Sequence, residues 1–108
     1  MIIVKGEVKF GTGEIARLKG AFEAMIRATR AEAGCGAYAY AVDLLDPDLL
    51  LVAEEWASEA ALDEHMQSPH MAKLGEALST ARIEAIRIDA YESHYLRNVL
   101  GGDPPPAD

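Results

Sequence analysis

The chain begins with a regular alternation of apolar and polar residues. Within MIIVKGEVKF, apolar side chains recur at even positions on one face: Ile2, Val4, Val8 and Phe10. Charged side chains occupy the opposite face: Lys5, Glu7 and Lys9. A period of two places successive side chains on opposite faces of a strand. The segment is therefore predicted to be a strand with one buried face and one wet face.

The period then lengthens to that of a helix. After the GTG sequence at 11–13, one helical face carries six residues at spacings typical of a helix: Ile15, Leu18, Phe22, Met25, Ile26 and Thr29. The hydroxyl of Thr12 is predicted to cap the first turn, because it can accept a hydrogen bond from a free backbone N–H group. Gly34 is predicted to end this long amphipathic helix in the left-handed conformation, which suits glycine.

The middle of the chain predicts a β-hairpin and two short helices. The segments AYAYAV and LLLVAEEW are typical of strands, and the DPD sequence at 46–48 between them is predicted to form the turn. Ser58 and Ser68 are predicted to cap the two short helices that follow. From about Arg82 the sequence alternates again, which predicts a fourth strand.

The order strand, helix, strand, strand, helix pair, strand predicts an α+β fold. In this ferredoxin-like βαββαβ sandwich, a four-stranded antiparallel sheet carries its helices on one face. Apolar residues occur on both faces of several strands, so a homodimer is expected in which two sheets pack face to face or join into a barrel. Residues 1–97 are predicted to form this single domain. The polar, proline-rich residues 98–108 are predicted to be a disordered tail.

Composition and charge narrow the classes of partner. The chain has 108 residues and a net charge of −8, and a field of that sign opposes approach to nucleic acid or anionic lipid. The sequence has no apolar run of the length, about 18 residues, that spans a bilayer. Cys35 is the single cysteine, which excludes an intrachain disulfide and suits a reducing compartment. We expect a cytoplasmic protein that binds neither nucleic acid nor membrane.

Two histidines are predicted to point toward the space between sheet and helices. His65 shares one helical face with Ala61 and Leu62. His70 shares the apolar stripe of the next helix with Leu74. No metal site is predicted, because the two histidines are five residues apart, a proline lies between them and no third ligand is evident. Each imidazole can instead be a neutral, hydrogen-bonded core residue.

Glu54 and Trp56 alternate to the same face of the third strand. A carboxylate on a half-buried strand needs a partner, because an unpaired buried charge is costly. Glu54 is therefore expected either to face solvent at the strand end or to pair with a histidine or arginine. Trp56 is open to two interpretations, as a core residue or as part of a binding site.

These residues resemble the antibiotic biosynthesis monooxygenase family, close to its small quinol monooxygenase branch. The resemblance covers roughly residues 1–95 and is carried by TRAEAGCGAYAY at 29–40 and AEEWASEAALDEHMQSPHM at 53–71. Its most specific elements are Glu32-x-Gly34-Cys35, Tyr38, Glu54-x-Trp56, His65 and Ser68-Pro69-His70. The resemblance implies a dimeric ferredoxin-like α+β barrel with a cavity for a flat aromatic substrate.

The resemblance also implies chemistry without metal or flavin. Characterised oxygenases of this family deprotonate an electron-rich quinol, anthrone or naphthol. The anion passes an electron to O₂, and the radicals recombine into a peroxide that collapses to a quinone. The implied partners are thus a small aromatic substrate, O₂ and a second subunit, with no cofactor and no metal. A histidine in an apolar pocket can supply the base for such a reaction.

The expected residue roles follow from that resemblance. His65 is expected to be the base or to contact a substrate oxygen, with His70 as a second polar contact and Trp56 as an aromatic wall of the catalytic site. The expected substrate-binding residues are Tyr38, Glu54, Met66 and Leu74. Haem degradation is disfavoured, because that branch of the superfamily uses an asparagine on the first strand where Glu7 stands here. A proton-transfer isomerase and a binding protein without turnover remain as alternatives.

Overall fold

The computed structural model describes residues 1–103 and contains seven elements in the predicted order. They are β1 (Ile2–Phe10), α1 (Glu14–Arg30), β2 (Cys35–Asp43), β3 (Asp46–Trp56), α2 (Glu59–Met66), α3 (Pro69–Leu78) and β4 (Ile83–Glu92). The ferredoxin-like βαββαβ fold is thereby confirmed. Residues 98–103 contain no helix or strand, and residues 104–108 of the predicted tail lie outside the described residues. Within the described part of the chain, no helix is both long and apolar enough to cross a membrane.

The sheet is antiparallel, and its strand order is β2-β3-β1-β4. The alternation predicted for β1 is confirmed, since its buried face consists of Ile2, Val4, Val8 and Phe10. In the strand register, Glu54 of β3 lies between Val4 of β1 and Tyr38 of β2. Residues paired in this way share one face of the sheet. A carboxyl group therefore lies near the middle of the sheet, on the face that the helices cover.

Helix α1 forms as predicted, but both of its ends differ from the prediction. Its N-cap is Gly13 at φ 83°, with no side-chain hydrogen bond, so the prediction that Thr12 caps the helix is wrong. Glycine enters this left-handed conformation without a Cβ clash. The helix ends at Arg30, and Gly34 does not have a positive φ, so that prediction is also wrong. Gly34 is instead a point of close approach, because a Cβ there would clash with the Cβ of Ala61 in α2.

The turn of the β2–β3 hairpin is displaced from its predicted position. Residues 44–45 form the turn, and the DPD sequence at 46–48 begins strand β3 instead. The Asp43 carboxylate accepts a hydrogen bond from the backbone N–H of Leu45 at 2.9 Å, and Asp43 pairs with Asp46 in the strand register. An aspartate at the first position of a turn stabilises it in this way. That local hydrogen bond places the turn before the proline.

Both predicted serine caps are confirmed. Oγ of Ser58 accepts a hydrogen bond from the backbone N–H of Ala61 at 3.1 Å, and Oγ of Ser68 accepts one from Met71 at 3.2 Å. Ser68 also donates its hydroxyl proton to the carbonyl oxygen of His65 at 2.7 Å. These hydrogen bonds tie the end of α2 to the start of α3. The two helices that carry the histidines therefore meet at a defined corner.

Candidate active site

One carboxylate oxygen contacts two histidines where α1, α2 and α3 meet. Oε2 of Glu32, which follows α1, lies 2.7 Å from Nδ1 of His65 and 2.8 Å from Nε2 of His70. The three atoms all lie within 4.8 Å of one another. The side chain of His65 is 2% exposed, whereas those of Glu32 and His70 are 20% and 22% exposed. The sequence analysis assigns no role to Glu32. Its only sequence signal is its place in the Glu32-x-Gly34-Cys35 motif.

The two histidines keep Glu32 ionised. Burial acts to raise the pKa of this carboxyl group, but hydrogen bonds from His65 and His70 outweigh it and lower the pKa below its ordinary value. The carboxylate therefore accepts the Nδ1 proton of His65. The hydrogen bond selects the tautomer in which Nε2 of the same ring is the basic nitrogen. Among residues 1–103, Nε2 of His65 has no hydrogen-bond partner.

Aromatic rings surround His65. The ring centroid of Trp56 lies 4.6 Å from that of His65, and the centroid of Tyr38 lies 5.4 Å from it. The hydroxyl oxygens of Tyr38 and Tyr40 are 2.5 Å apart. Burial raises the pKa of Tyr40 to about 12 and also raises that of Tyr38. Both phenols are therefore neutral at physiological pH, and one proton of the pair remains available to a ligand.

Glu54 is the second carboxyl group of the site, and unlike Glu32 it is buried. It is 8% exposed, and its Oε1 accepts a hydrogen bond from Nε1 of Trp56 at 2.9 Å. Both sequence-based expectations for Glu54 are corrected, because it is buried and its partner is the indole two residues later rather than a histidine or arginine. Burial raises the pKa of Glu54, and the hydrogen bond from Trp56 offsets only part of this effect. Glu54 is thus a carboxyl group that binds a proton more readily than an exposed glutamate.

A cavity of about 460 Å³ lies between the sheet and helices α2 and α3. Most of the predicted site residues line it: Tyr38, Glu54, His65, Met66 and Leu74. Trp56 and His70 are not part of this lining and lie behind it, where Trp56 contacts Glu54 and His70 contacts Glu32. His70 faces a separate groove of about 310 Å³ between α1 and α3. In the described structure, the contacts of Trp56 and His70 are thus with the two carboxyl groups, Glu54 and Glu32.

A family model described as "Antibiotic biosynthesis monooxygenase" matches residues 1–77 of the chain. The chain belongs to the antibiotic biosynthesis monooxygenase family. The Escherichia coli K12 protein named "Probable quinol monooxygenase YgiN" is 31% identical over 88 residues, which cover 72% of this chain and 85% of that protein. A Deinococcus radiodurans structure described as a "putative antibiotic biosynthesis monooxygenase" is 29% identical and has a TM-score of 0.85, covering 94% of this chain and 100% of that chain. Rv0793 from Mycobacterium tuberculosis shares the fold, with a TM-score of 0.79. It is 24% identical, and the match covers 90% of this chain and 98% of that chain.

The part of the chain that matches the family model contains the polar centre of the site. Residues 1–77 include both carboxyl groups, Glu32 and Glu54, and both histidines. Strand β4 lies outside the match and contributes Ile86 and Ile88 to the cavity. The family match thus covers the groups that can move a proton, whereas one apolar wall of the cavity lies beyond it.

Proposed function

We propose that this protein is a cofactor-independent monooxygenase that oxidises a small electron-rich aromatic compound with O₂ to a quinone. The substrate would be of the quinol, naphthol or anthrone type. The observation that carries the proposal is the hydrogen bond from Nδ1 of His65 to Glu32, which leaves Nε2 of His65 as a base beside an apolar cavity. The name of the Escherichia coli relative, a quinol monooxygenase, supports the same class of substrate.

In this proposal His65 begins the reaction by removing a proton. The substrate hydroxyl gives its proton to Nε2, and the ionised Glu32 stabilises the imidazolium that forms. The substrate anion gives one electron to O₂, and the resulting radical pair forms a C–O bond at a ring carbon that carries hydrogen. The O–O bond of the peroxide then breaks. One oxygen stays as the new carbonyl, and the other leaves as water with the proton from His65 and the hydrogen from the ring carbon.

The remaining residues bind and orient the substrate. The free hydroxyl proton of the Tyr38–Tyr40 pair can donate to a substrate oxygen, while Met66 and Leu74 supply apolar walls. Ile86 and Ile88 line the same cavity and are 58% and 41% exposed, so the cavity opens toward β4. A flat ring can enter on this exposed side and reach His65.

Oxygen uptake tests the proposal directly. Purified, metal-stripped protein is mixed with a panel of hydroquinones, naphthols and anthrones, and dissolved O₂ is followed for wild type, His65→Ala and His94→Ala. His94 is an exposed histidine beyond β4, so its variant controls for the loss of an imidazole as such. We expect uptake by wild type and His94→Ala, and its loss in His65→Ala. Equal uptake by His65→Ala, or no uptake with any compound, would overturn the assignment.

A proton-transfer isomerase is the second candidate, and Glu54 is the observation that favours it. Glu54 has a raised pKa and lines the same cavity as His65, so two groups suited to proton transfer face one space. Such a pair can remove a proton from one atom of a substrate and return it to another. Deuterium incorporation from D₂O into a cyclic ketone without O₂ consumption would support this activity over oxygenation.

We also propose that the sheet face opposite the helices packs against a second copy of the chain. A depression of about 700 Å³ lies on this face. Its apolar lining includes Ala37, Ala39, Leu51 and Ala53. Its charged residues have both signs, Lys5 and Arg87 against Glu7, Glu55 and Asp89, so two copies can pair opposite charges. We expect light scattering to give a dimer mass for wild type and a monomer mass for Ala53→Arg. A monomeric wild type at micromolar concentration would refute the dimer.

A further inference from the structure

We propose that Glu32, His65 and His70 form a binding site for a divalent transition-metal ion of the zinc class. The proposal goes beyond the oxygenase reaction proposed above, which needs no metal. Oε2 of Glu32, Nδ1 of His65 and Nε2 of His70 all lie within 4.8 Å of one another. Two imidazoles and one carboxylate are a donor set that binds zinc in proteins.

Two of the three separations are close to those of a metal-bound set, and the third, between the two histidine nitrogens, is at most 4.8 Å. Zinc binds histidine nitrogen and carboxylate oxygen at about 2.0–2.2 Å, so ligands in tetrahedral geometry lie roughly 3.3 Å apart. The oxygen of Glu32 is now 2.7 Å and 2.8 Å from the two nitrogens. Side-chain rotations that open these distances by about half an ångström admit an ion in place of the two bridging protons.

The site is held by separate elements and remains open on one side. Glu32 follows α1, His65 lies in α2 and His70 lies in α3, and the Ser68 hydrogen bonds fix the corner between the two histidines. His65 is buried, whereas the side chains of Glu32 and His70 are 20% and 22% exposed. Water can therefore enter beside His70 and supply a fourth ligand. The net charge of −8 also attracts a divalent cation.

The sequence prediction of no metal site rested on the separation of five residues, on the proline between the two histidines and on the lack of an evident third ligand. The structure places them on two helices that meet at a corner, so their separation of five residues no longer excludes a shared ion. The third ligand lies 33 residues before His65 in the chain, where sequence spacing gives no indication of it. The ligand set thus exists only in the folded protein.

Metal binding would change the tautomer of His65. An ion on Nδ1 displaces the proton that Glu32 now accepts, and the neutral ring then carries its proton on Nε2. Metal-free and metal-bound protein are therefore distinguishable at the ring nitrogens of His65. If His65 is the base of the proposed oxygenase, the ion would also inhibit turnover. This last consequence rests on the proposed function, but metal binding itself does not.

The test is a zinc titration of the full chain after chelator treatment, in competition with a chromophoric chelator. Wild type, His70→Ala, Glu32→Gln and the exposed-histidine control His94→Ala are compared, and circular dichroism confirms that each is folded. We expect one zinc ion per protomer, unchanged affinity in His94→Ala, and a loss of more than about a hundredfold in His70→Ala, since loss of an outer-shell partner alone costs up to that much. Glu32→Gln gives a second reading if His70→Ala does not fold.

Histidine ¹⁵N spectra provide a readout that does not depend on activity. Zinc is expected to shift Nδ1 of His65 and Nε2 of His70 into the metal-bound range and to leave His94 unchanged. Equal zinc affinity in wild type and the folded ligand variants would overturn the proposal, as would absence of binding by wild type. Because neither measurement uses O₂ or substrate, failure of the metal site is distinguishable from failure of the oxygenase assignment.

Discussion

The two glutamates near His65, one partly buried and one buried, differ in the property that matters most for proton transfer. Glu32, after α1, accepts hydrogen bonds from two histidines, and its pKa is lowered despite burial. Glu54, on β3, accepts one hydrogen bond from Trp56, and burial raises its pKa. Burial acts to raise the pKa at both positions. The number and charge of the donors therefore decide which glutamate stays ionised and which readily binds a proton.

This difference separates two tasks within one site. In the proposed oxygenase reaction, an ionised Glu32 orients His65 and stabilises its protonated form from the side away from the cavity, without taking the proton itself. A carboxyl group with a raised pKa, such as Glu54, can hold or release a proton on the cavity side. The following substitutions change one carboxyl group or its donor at a time, in order of decreasing expected effect.

Replacement of Glu32 should have the largest effect, because it acts on the tautomer of His65. In Glu32→Gln, the amide can donate a hydrogen bond to Nδ1, which favours a proton on Nε2 and removes the base from the cavity. We expect kcat for oxygen uptake to fall by about a thousandfold or more, as for the equivalent change in a histidine–aspartate pair. Oxygen-electrode assays on folded Glu32→Gln check this. A rate equal to that of wild type would show that Glu32 does not orient the base.

Glu32 also shows where sequence reasoning reaches its limit. The inward position of His65 follows from its spacing to Ala61 and Leu62, because a helical period is a local property. The partner of His65 is 33 residues away on another element, and only the packing of α1 against the later helices brings it there. The fold was predictable because helical and strand periods are local. The contact between Glu32 and His65 was not, because it depends on packing between distant parts of the chain.

The wrong details of the fold have the same origin. Thr12 and the DPD sequence at 46–48 have suitable side chains for a cap and a turn, but the helix and the turn form at neighbouring residues. Gly13 starts the helix in a left-handed conformation, and Asp43 closes the hairpin turn before the proline. The residue types in these two regions correctly indicated that a helix starts in one and a turn lies in the other. The choice between adjacent positions went with the backbone conformation of a glycine at the helix and with a hydrogen bond at the turn, and the local pattern reveals neither.

Removal of the indole donor should have an intermediate effect, on stability rather than on rate. Trp56→Phe leaves Oε1 of the buried Glu54 without its hydrogen bond, and loss of one partner of a buried polar pair costs about 1–3 kcal/mol. We expect the free energy of unfolding in urea to fall by about 2 kcal/mol at neutral pH, part of which reflects the smaller ring. The double variant Trp56→Phe/Glu54→Leu, compared with both single variants, isolates the hydrogen bond, because leucine offers no acceptor to the indole. If its two substitutions prove additive, the indole and the carboxyl group do not interact.

The smallest effect is expected for Glu54→Gln, and its dependence on pH distinguishes Glu54 from Glu32. The ordinary pKa of this carboxyl group is 4.5, and in the folded protein it is raised. Its protonated form is therefore compatible with burial below pH 4.5, and the cost of ionising it appears as pH rises through the folded-state pKa. Glutamine never ionises and still offers an oxygen to Trp56. Relative to wild type, Glu54→Gln should thus gain stability between acid and neutral pH, by about 1 kcal/mol or less.

Urea unfolding of both proteins at several pH values measures this difference. A difference that instead falls with rising pH would mean that the folded protein stabilises Glu54 as a carboxylate, as it does Glu32.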